Sequence, residues 1–153
     1  MRNSTICYIK KNNKTLMLHR IKKENDIHQG KWIGLGGKME EGETPEECIV
    51  REVKEESGLR IKKPSFRGIL TFPKFKDNED WYVFLFTAKE FEGELIESQE
   101  GTLQWIDDTE IFNLNLWEGD KLFLKWLEDN RLFSGKLVYE NGRLIENRVI
   151  FYD

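Results

Sequence analysis

The sequence is poor in the residues that build disulfide frameworks and zinc sites. It has two cysteines, Cys7 and Cys48, and two histidines, His19 and His28, in 153 residues. Neither the spacing nor the context of the cysteines predicts a disulfide or a zinc site. We therefore expect the cysteines to be small core residues or free thiols, and the histidines to be surface or hydrogen-bonded residues rather than ligands.

Long apolar runs are also missing. The longest have only a few residues, such as Tyr-Val-Phe-Leu-Phe at 82–86, whereas a helix that crosses a bilayer needs ~20. The first residues show neither the apolar segment nor the small-residue cleavage site of a secretory signal. These observations predict a cytoplasmic protein that does not interact with a membrane.

An excess of basic charge is absent as well. The net charge is −4, and an acidic protein gains no nonspecific attraction to a nucleic acid polymer. A polyphosphate ligand would therefore have to be held through cations. The composition is 39% apolar and 34% charged, which is typical of a folded chain, and the length predicts one domain over residues 1–153. The sequence does not distinguish a monomer from a homodimer.

The hydrophobic pattern predicts strands, a helix, more strands, a second helix and a final hairpin. This order favours a mixed α/β fold with a sheet between helices. Hairpins are expected where two β-rich runs flank a short polar turn, including the last one around Asn141 and Gly142. The second helix is expected at 119–130, and its apolar stripe should face the core. The other predicted strands are 4–9, 15–20, 32–38, 66–75, 80–91 and 101–107.

The first helix has the clearest boundaries. Thr44 is a typical N-cap residue and Pro45 fits the first helical position. Glu47 completes a capping box with Thr44. Gly58 supplies the left-handed residue that ends a helix, so we predict a helix from Pro45 to about Ser57.

This helix belongs to an unusually acidic segment, with eight glutamates between positions 40 and 56. At about 100° per residue, Glu52, Glu55 and Glu56 fall within one wedge roughly 100° wide. Ile49 and Val53 lie beside that wedge, which places carboxylates at the margin of the core. One interpretation is a solvated acidic face. The other is a site for Mg²⁺ or Mn²⁺, since clustered carboxylates are costly without a counter-ion and hard oxygen ligands suit these ions.

The spacing of the whole segment favours the second interpretation. Gly37 is followed after five residues by Glu43, and after seven more by Arg-Glu-Val-Lys-Glu-Glu-Ser-Gly-Leu at 51–59. This resembles the signature of the Nudix hydrolases without a mismatch. The resemblance implies a Nudix α/β/α sandwich with a mixed β-sheet, and hydrolysis of a nucleoside diphosphate linked to another group. The implied cofactor is Mg²⁺, with Mn²⁺ as the alternative.

The resemblance also implies roles for individual residues. The divalent metal would be bound by Glu52, Glu55 and Glu56, with contributions from the carbonyl of Gly36 and from Glu100 on a later loop. Glu56 is the favoured general base, although the sequence does not separate its role from those of the other glutamates. Arg51 and Glu43 would form an ion pair that orients these catalytic glutamates, and Lys38 would meet the phosphates.

Beyond this segment the chain resembles the MutT-type enzymes that remove oxidised purine nucleoside triphosphates. The stretches that carry the likeness are 30–44, 97–107 and 116–127. On that resemblance Trp117 would stack on a purine and Asp120 would hydrogen-bond its edge. Phe72 would form part of the pocket wall unless it packs only in the core, and Lys23 would help to bind the nucleotide.

The chain departs from the MutT-type pattern at two base-reading positions. Ile33 stands where an asparagine is expected, and Gly119 replaces one of two adjacent aspartates. Base recognition would therefore either lose its strict selection of 8-oxo-guanine or shift to the backbone and to other groups. The expected substrate is an oxidised purine triphosphate such as 8-oxo-dGTP. The alternatives are another nucleoside triphosphate, ADP-ribose or a dinucleotide polyphosphate, and a non-catalytic nucleotide-sensing domain.

Overall fold

The computed structural model describes residues 1–153. Two helices, α1 (Pro45–Ser57) and α2 (Glu118–Trp126), accompany eleven strands, and a short 3-10 turn at Ile111–Asn113 precedes α2. Neither helix is long and apolar enough to span a membrane. The strands are β1 (Arg2–Lys11), β2 (Lys14–His19), β3 (Trp32–Ile33), β4 (Leu35–Lys38), β5 (Arg60–Lys62), β6 (Ser65–Lys76), β7 (Glu79–Ala88), β8 (Glu90–Glu92), β9 (Thr102–Asp107), β10 (Leu132–Glu140) and β11 (Arg143–Tyr152).

The main sheet is mixed, as the sequence predicts. Its order is β11-β10-β6-β7-β1, and β4 pairs with the free edge of β1. The β10-β6 and β7-β1 pairs are parallel, and the other pairs are antiparallel. The far end of β1 turns into β2, which carries β3 and β9. The predicted hairpins β1-β2, β6-β7 and β10-β11 are all confirmed.

The alternation of β1 separates two cores. Cys7 and Ile9 pack with Ile49 and Val53 of α1 on one face. Tyr8 packs on the other face with Phe123 of α2. The two helices therefore cover opposite faces of the sheet, which confirms the predicted sandwich. Cys7 and Cys48 are both buried free thiols, as expected.

The boundaries of α1 are those that its sequence specifies. Thr44 and Glu47 form the reciprocal capping box, and Gly58 ends the helix at a φ of 82°. Burial follows the predicted wedge only in part. Glu56 is buried and the Glu52 side chain is 17% exposed, but the Glu55 side chain is 59% exposed.

Three predicted elements differ from the structure. The strand at 32–38 is divided at Gly34, because β3 pairs with β2 and β4 pairs with β1. The strand at 80–91 ends at Ala88, and β8 leaves the main sheet to pair with β5. The second helix ends at Trp126 rather than at residue 130. There Arg67 takes the carbonyl oxygens of Leu127 and Asp129 as acceptors and holds this segment in a turn.

Candidate active site

A cleft of about 350 Å³ opens on the face of β1 that α2 also covers. The first half of β1 lines it, mainly through Arg2, Ser4 and Ile6, together with β4, parts of β6 and β7, and the first turn of α2. Nine of the site residues predicted from sequence line this one cleft: Lys23, Ile33, Gly36, Lys38, Glu52, Phe72, Glu100, Trp117 and Asp120. The remaining four, Glu43, Arg51, Glu55 and Glu56, lie outside its lining, around α1.

Arg51 organises the acidic residues. It forms a bidentate pair with Glu43, at 2.7 Å from Nε and 2.9 Å from Nη2. Its Nη1 donates to Glu52 at 2.8 Å and approaches Glu55 at 3.3 Å. Hydrogen bonds from Arg51 lower the pKa of Glu43 to about 2, with a contribution from the Glu40 backbone. The ion pair that the family resemblance implies is therefore present in the structure.

Glu56 is the most buried of these carboxylates, at 8% exposure. Its Oε1 accepts a hydrogen bond from the backbone N–H of Gly36 at 2.8 Å. Its Oε2 is buried and has no hydrogen-bond partner. Burial raises the pKa of Glu56 well above its usual value, and the neighbouring Glu100 carboxylate raises it further. Such an arrangement favours either a proton or a cation beside Oε2.

Two glycines allow β4 to pass this close to its neighbours. A side chain at Gly36 would collide with the carbonyl oxygen of Thr5 on β1. A Cβ at Gly37 would lie 2.5 Å from the carboxyl carbon of Glu52. The absence of side chains thus leaves room for the Glu52 carboxylate against the backbone of β4, where burial raises its pKa.

The predicted metal ligands do not all converge in the structure. No group of three acidic, histidine or cysteine side chains is arranged to hold a metal ion, because Glu52 and Glu55 both pair with Arg51. The donor set nevertheless fits a divalent cation. Glu56 Oε2 is an orphaned buried oxygen beside the backbone of Gly36, and the largely buried carboxylate of Glu52 is the kind of hard oxygen ligand that Mg²⁺ prefers.

Arg20 fixes the loop residue Glu100 at the same end of the cleft. Its side chain is 11% exposed and pairs with Asp26 at 2.7 Å and with Glu100 at 2.9 Å. The loops after β2 and before β9 are thereby tied together. Arg20 therefore holds in place the Glu100 carboxylate, which is close enough to Glu56 to raise its pKa.

Aromatic side chains surround the other end of the cleft. The Trp117 ring packs edge-on against Phe75 and Tyr139, with ring centroids 5.4 Å and 5.3 Å away. Its Nε1 donates to Nδ1 of His28 at 2.9 Å, and burial lowers the pKa of His28 to about 4. His28 is therefore a hydrogen-bonded neutral residue, as the sequence predicts. Phe72, at 9% exposure, belongs both to the core and to the cleft wall.

The structure shows what surrounds Ile33 and Gly119, the two residues that depart from the MutT-type pattern. Ile33 gives the wall an apolar side chain. Gly119 donates its backbone N–H to the hydroxyl of Tyr139 at 2.6 Å. A Cβ at Gly119 would lie 2.7 Å from that hydroxyl oxygen and 3.0 Å from Leu137. Tyr139 therefore occupies the space that a side chain at position 119 would need.

Asp120 is a buried acid in this aromatic pocket, at 7% exposure. Burial raises its pKa to about 8, and only the nearby Lys31 opposes the shift. Near neutral pH the carboxyl group is therefore mostly protonated. A protonated carboxyl can donate a hydrogen bond as well as accept one.

The raised pKa of Asp120 predicts a pH-dependent stability. Between its unfolded pKa of about 4 and its folded pKa of about 8, the folded state holds a proton that the unfolded state has lost. The free energy of unfolding should therefore fall as pH rises through this window. Asp120→Asn removes the titration, so relative to wild type it should gain about 3.5 kcal/mol between pH 5 and pH 8, at ~1.4 kcal/mol per pH unit and less close to the folded pKa. Urea unfolding at both pH values measures this gain, and parallel pH profiles for the two proteins would contradict it.

Several cleft residues were not singled out from the sequence. They are Arg2, Ile6, Phe75, Trp81 and Tyr139. They come from β1, β6, β7 and β10, which are far apart in the chain. No local spacing marks them, and only the order of strands in the sheet brings them together.

The chain matches the NUDIX domain family over residues 1–127. It is 34% identical over 141 residues to the uncharacterised Nudix hydrolase YvcI of Bacillus subtilis, covering 88% of this chain and 85% of that one. It is 33% identical over 123 residues to the oxidized purine nucleoside triphosphate hydrolase of Danio rerio, covering 80% and 79%. The crystal structure of a MutT protein from Bacillus halodurans superposes with a TM-score of 0.86 at 32% identity, covering 97% of both chains.

The chain therefore belongs to the Nudix family. It is a Nudix pyrophosphohydrolase with a MutT-like fold, and the resemblance drawn from its sequence is confirmed.

Proposed function

We propose that this protein hydrolyses oxidised purine nucleoside triphosphates, with 8-oxo-dGTP as the leading candidate, to the nucleoside monophosphate and pyrophosphate in a Mg²⁺-dependent reaction. The observation that carries this proposal is the layout of one cleft. Glu52 and Glu100 line it together with the glycine backbone of β4, and so do Trp117 and Asp120. A purine and its phosphate chain could thus occupy one continuous space.

The acidic end supplies the groups that hydrolysis of a phosphoanhydride needs. Water must attack phosphorus, lose a proton and displace the pyrophosphate group. Glu56, with its raised pKa and unpartnered Oε2, is the base that we assign to this proton. A bound divalent cation would neutralise phosphate charge and polarise the attacked phosphorus. We assign Glu52, Glu55, Glu56, Glu100 and the Gly36 carbonyl to its coordination.

The Arg51–Glu43 pair acts on this reaction through orientation. Neither side chain lines the cleft itself, but Arg51 fixes the position of Glu52, which accepts from Nη1 at 2.8 Å. Lys38 and Lys23 line the cleft with exposed cationic side chains. We assign these lysines to the charge of the triphosphate.

The aromatic end supports a purine rather than a smaller group. Stacking on Trp117 would contribute ~1–3 kcal/mol but tolerates any base. Selection requires polar groups that a wrong base leaves unpaired. The protonated carboxyl of Asp120 and the hydroxyl of Tyr139 are such groups in the pocket wall. They would take over the recognition that Ile33 and Gly119 do not provide.

The test is the initial rate on a nucleotide panel with Mg²⁺: 8-oxo-dGTP, dGTP, 2-oxo-dATP, dATP, dCTP and ADP-ribose. We expect kcat/KM for 8-oxo-dGTP to exceed that for dGTP at least tenfold, which corresponds to about 1.4 kcal/mol. Equal rates on all triphosphates would show that Trp117 stacks without selecting. A rate on ADP-ribose alone would contradict the purine triphosphate proposal and leave the acidic end unaffected. No metal-dependent turnover on any nucleotide would contradict the proposal entirely.

A further inference from the structure

Arg2 lies in the cleft with most of its hydrogen-bonding capacity unused. Its guanidinium stacks over the Trp81 ring, with Cζ 4.3 Å from the ring centroid. Its Nε donates to the hydroxyl of Ser4 at 3.0 Å. The two contacts fix the plane of the guanidinium, while Nη1 and Nη2 make no hydrogen bond within the protein. Arg2 is thus preorganised to donate to something that is not part of the chain.

The acids near Arg2 are committed to other partners. Glu79 pairs with the amine of Met1 at 3.3 Å, and Glu52 pairs with Arg51 at 2.8 Å. Both acids stabilise the Arg2 charge only from a distance, and the pKa of Arg2 is lowered because burial outweighs them. A half-buried guanidinium without an ion pair is costly and is stabilised by an arriving anion.

The position of Arg2 indicates which part of a nucleotide would reach it. Arg2, Ser4 and Ile6 alternate along β1 and line the cleft floor. Ser4 lies opposite Lys38 in the antiparallel β1-β4 pair, so Arg2 lies two residues further along β1, past the end of β4. Tyr8 lies further along the same row, past Ile6. Burial raises the pKa of Tyr8, and the nearby Asp120 raises it further. Along β1, Ser4 and Ile6 therefore separate Arg2 from Tyr8, the β1 residue near Asp120.

We propose that Arg2 binds the phosphate chain of the substrate, with Nη1 and Nη2 donating to phosphate oxygens while Trp81 and Ser4 hold the guanidinium in place. This inference rests on the proposed nucleotide substrate only for the identity of the base, because any polyphosphate in the cleft would meet the same donors. Arginine suits the role through its planar, two-pronged set of donors, which a lysine at this position would lack.

The test measures binding by calorimetry for wild type and Arg2→Gln with three probes: Mg²⁺-pyrophosphate, dGMP and deoxyguanosine. Arg2→Gln removes two charged hydrogen-bond donors, so it should weaken at least one phosphate-bearing probe about tenfold or more. The Kd of deoxyguanosine should change less than twofold. Arg2→Lys should restore only part of the loss. Arg148→Gln, on exposed strand β11, removes the same charge outside the cleft and should leave all three affinities unchanged.

Two results would overturn the proposal. One is wild-type affinity of Arg2→Gln for both phosphate-bearing probes. The other is a loss confined to deoxyguanosine, which would make Arg2 a reader of the base edge. If the wild-type protein bound pyrophosphate but neither dGMP nor deoxyguanosine, the proposal of a purine substrate would be contradicted. The effect of Arg2→Gln on pyrophosphate binding would still test the role of Arg2. Thermal unfolding of Arg2→Gln shows whether a loss of affinity comes from misfolding. In that case Arg2→Lys replaces Arg2→Gln as the test variant.

Discussion

Glu56→Gln should lower kcat about 10²–10⁴-fold, the range expected when a positioned general base is removed. The substitution keeps the shape of the side chain, and the glutamine oxygen can still accept from the N–H of Gly36, as Glu56 Oε1 does at 2.8 Å. It deletes the charge at Oε2, the buried oxygen that has no partner in the protein. Turnover close to wild type would exclude Glu56 from an essential role and direct attention to Glu52 or Glu100.

Glu56→Gln should not lose stability, although it loses turnover. The pKa of Glu56 is raised by burial and by Glu100, so ionisation of Glu56 opposes folding, and wild-type stability without metal should fall as pH rises past the usual glutamate range. Glu56→Gln removes that titration and should be at least as stable as wild type at pH 7–8 in EDTA. Added Mg²⁺ should stabilise wild type more than the variant.

A matched control variant tests whether the effect of Glu56→Gln depends on this position or on any loss of negative charge from α1. Glu46→Gln removes one charge from an exposed position of the same helix. Its kcat and its Mg²⁺-dependent stabilisation should equal those of wild type. If Glu46→Gln also lost most of its turnover, the effect of Glu56→Gln would reflect the net charge of α1 rather than a specific base.

Trp117→Ala should raise KM for purine triphosphates about 5–150-fold, with a smaller effect on kcat. The ring offers a stacking surface next to Phe75 and Tyr139, and base stacking contributes ~1–3 kcal/mol by alanine substitution. Steady-state kinetics on dGTP and 8-oxo-dGTP would measure the change. An unchanged KM would show that the base does not bind against this tryptophan.

A second substitution distinguishes stacking from hydrogen bonding. Trp117→Phe keeps an aromatic face and removes the Nε1–H that donates to His28 at 2.9 Å. We expect KM within a few-fold of wild type if stacking dominates. A loss as large as that of Trp117→Ala would instead mean that the bond to His28 sets the orientation of the ring. Trp105→Phe, on β9 outside the cleft, controls for the loss of a tryptophan elsewhere.

Helix α1 is the part of the protein that the sequence predicts best. Its start and end depend on contacts between near neighbours, such as Thr44 with Glu47 and Gly58 with Lys54. The family signature spans only residues 37–59, so its spacing is read directly from the chain. The same locality allowed the three hairpin turns to be predicted, because Asn12, Asn78 and Asn141 adopt positive φ values within their own turns.

The set of residues that line the cleft depends instead on which strands, distant in the sequence, pair in the sheet. Arg2 and Trp81 meet because β1 and β7 are parallel neighbours in register. Tyr139 reaches Gly119 because β10 joins the sheet beside β6. The sequence marks these residues only as members of strands, and the register between distant strands leaves no local signal.

The sequence by itself determined the family, the mixed sheet between helices and the glutamates of α1, since these follow from short-range spacing and hydrophobic period. Tertiary structure decided how those glutamates differ: Glu56 is buried beneath Gly36, Glu52 is held by Arg51 and Glu55 remains exposed. It also decided that Asp120 is buried enough to hold a proton. Burial and electrostatic environment depend on the packing of elements that are distant in sequence, and the identity of a residue does not specify them.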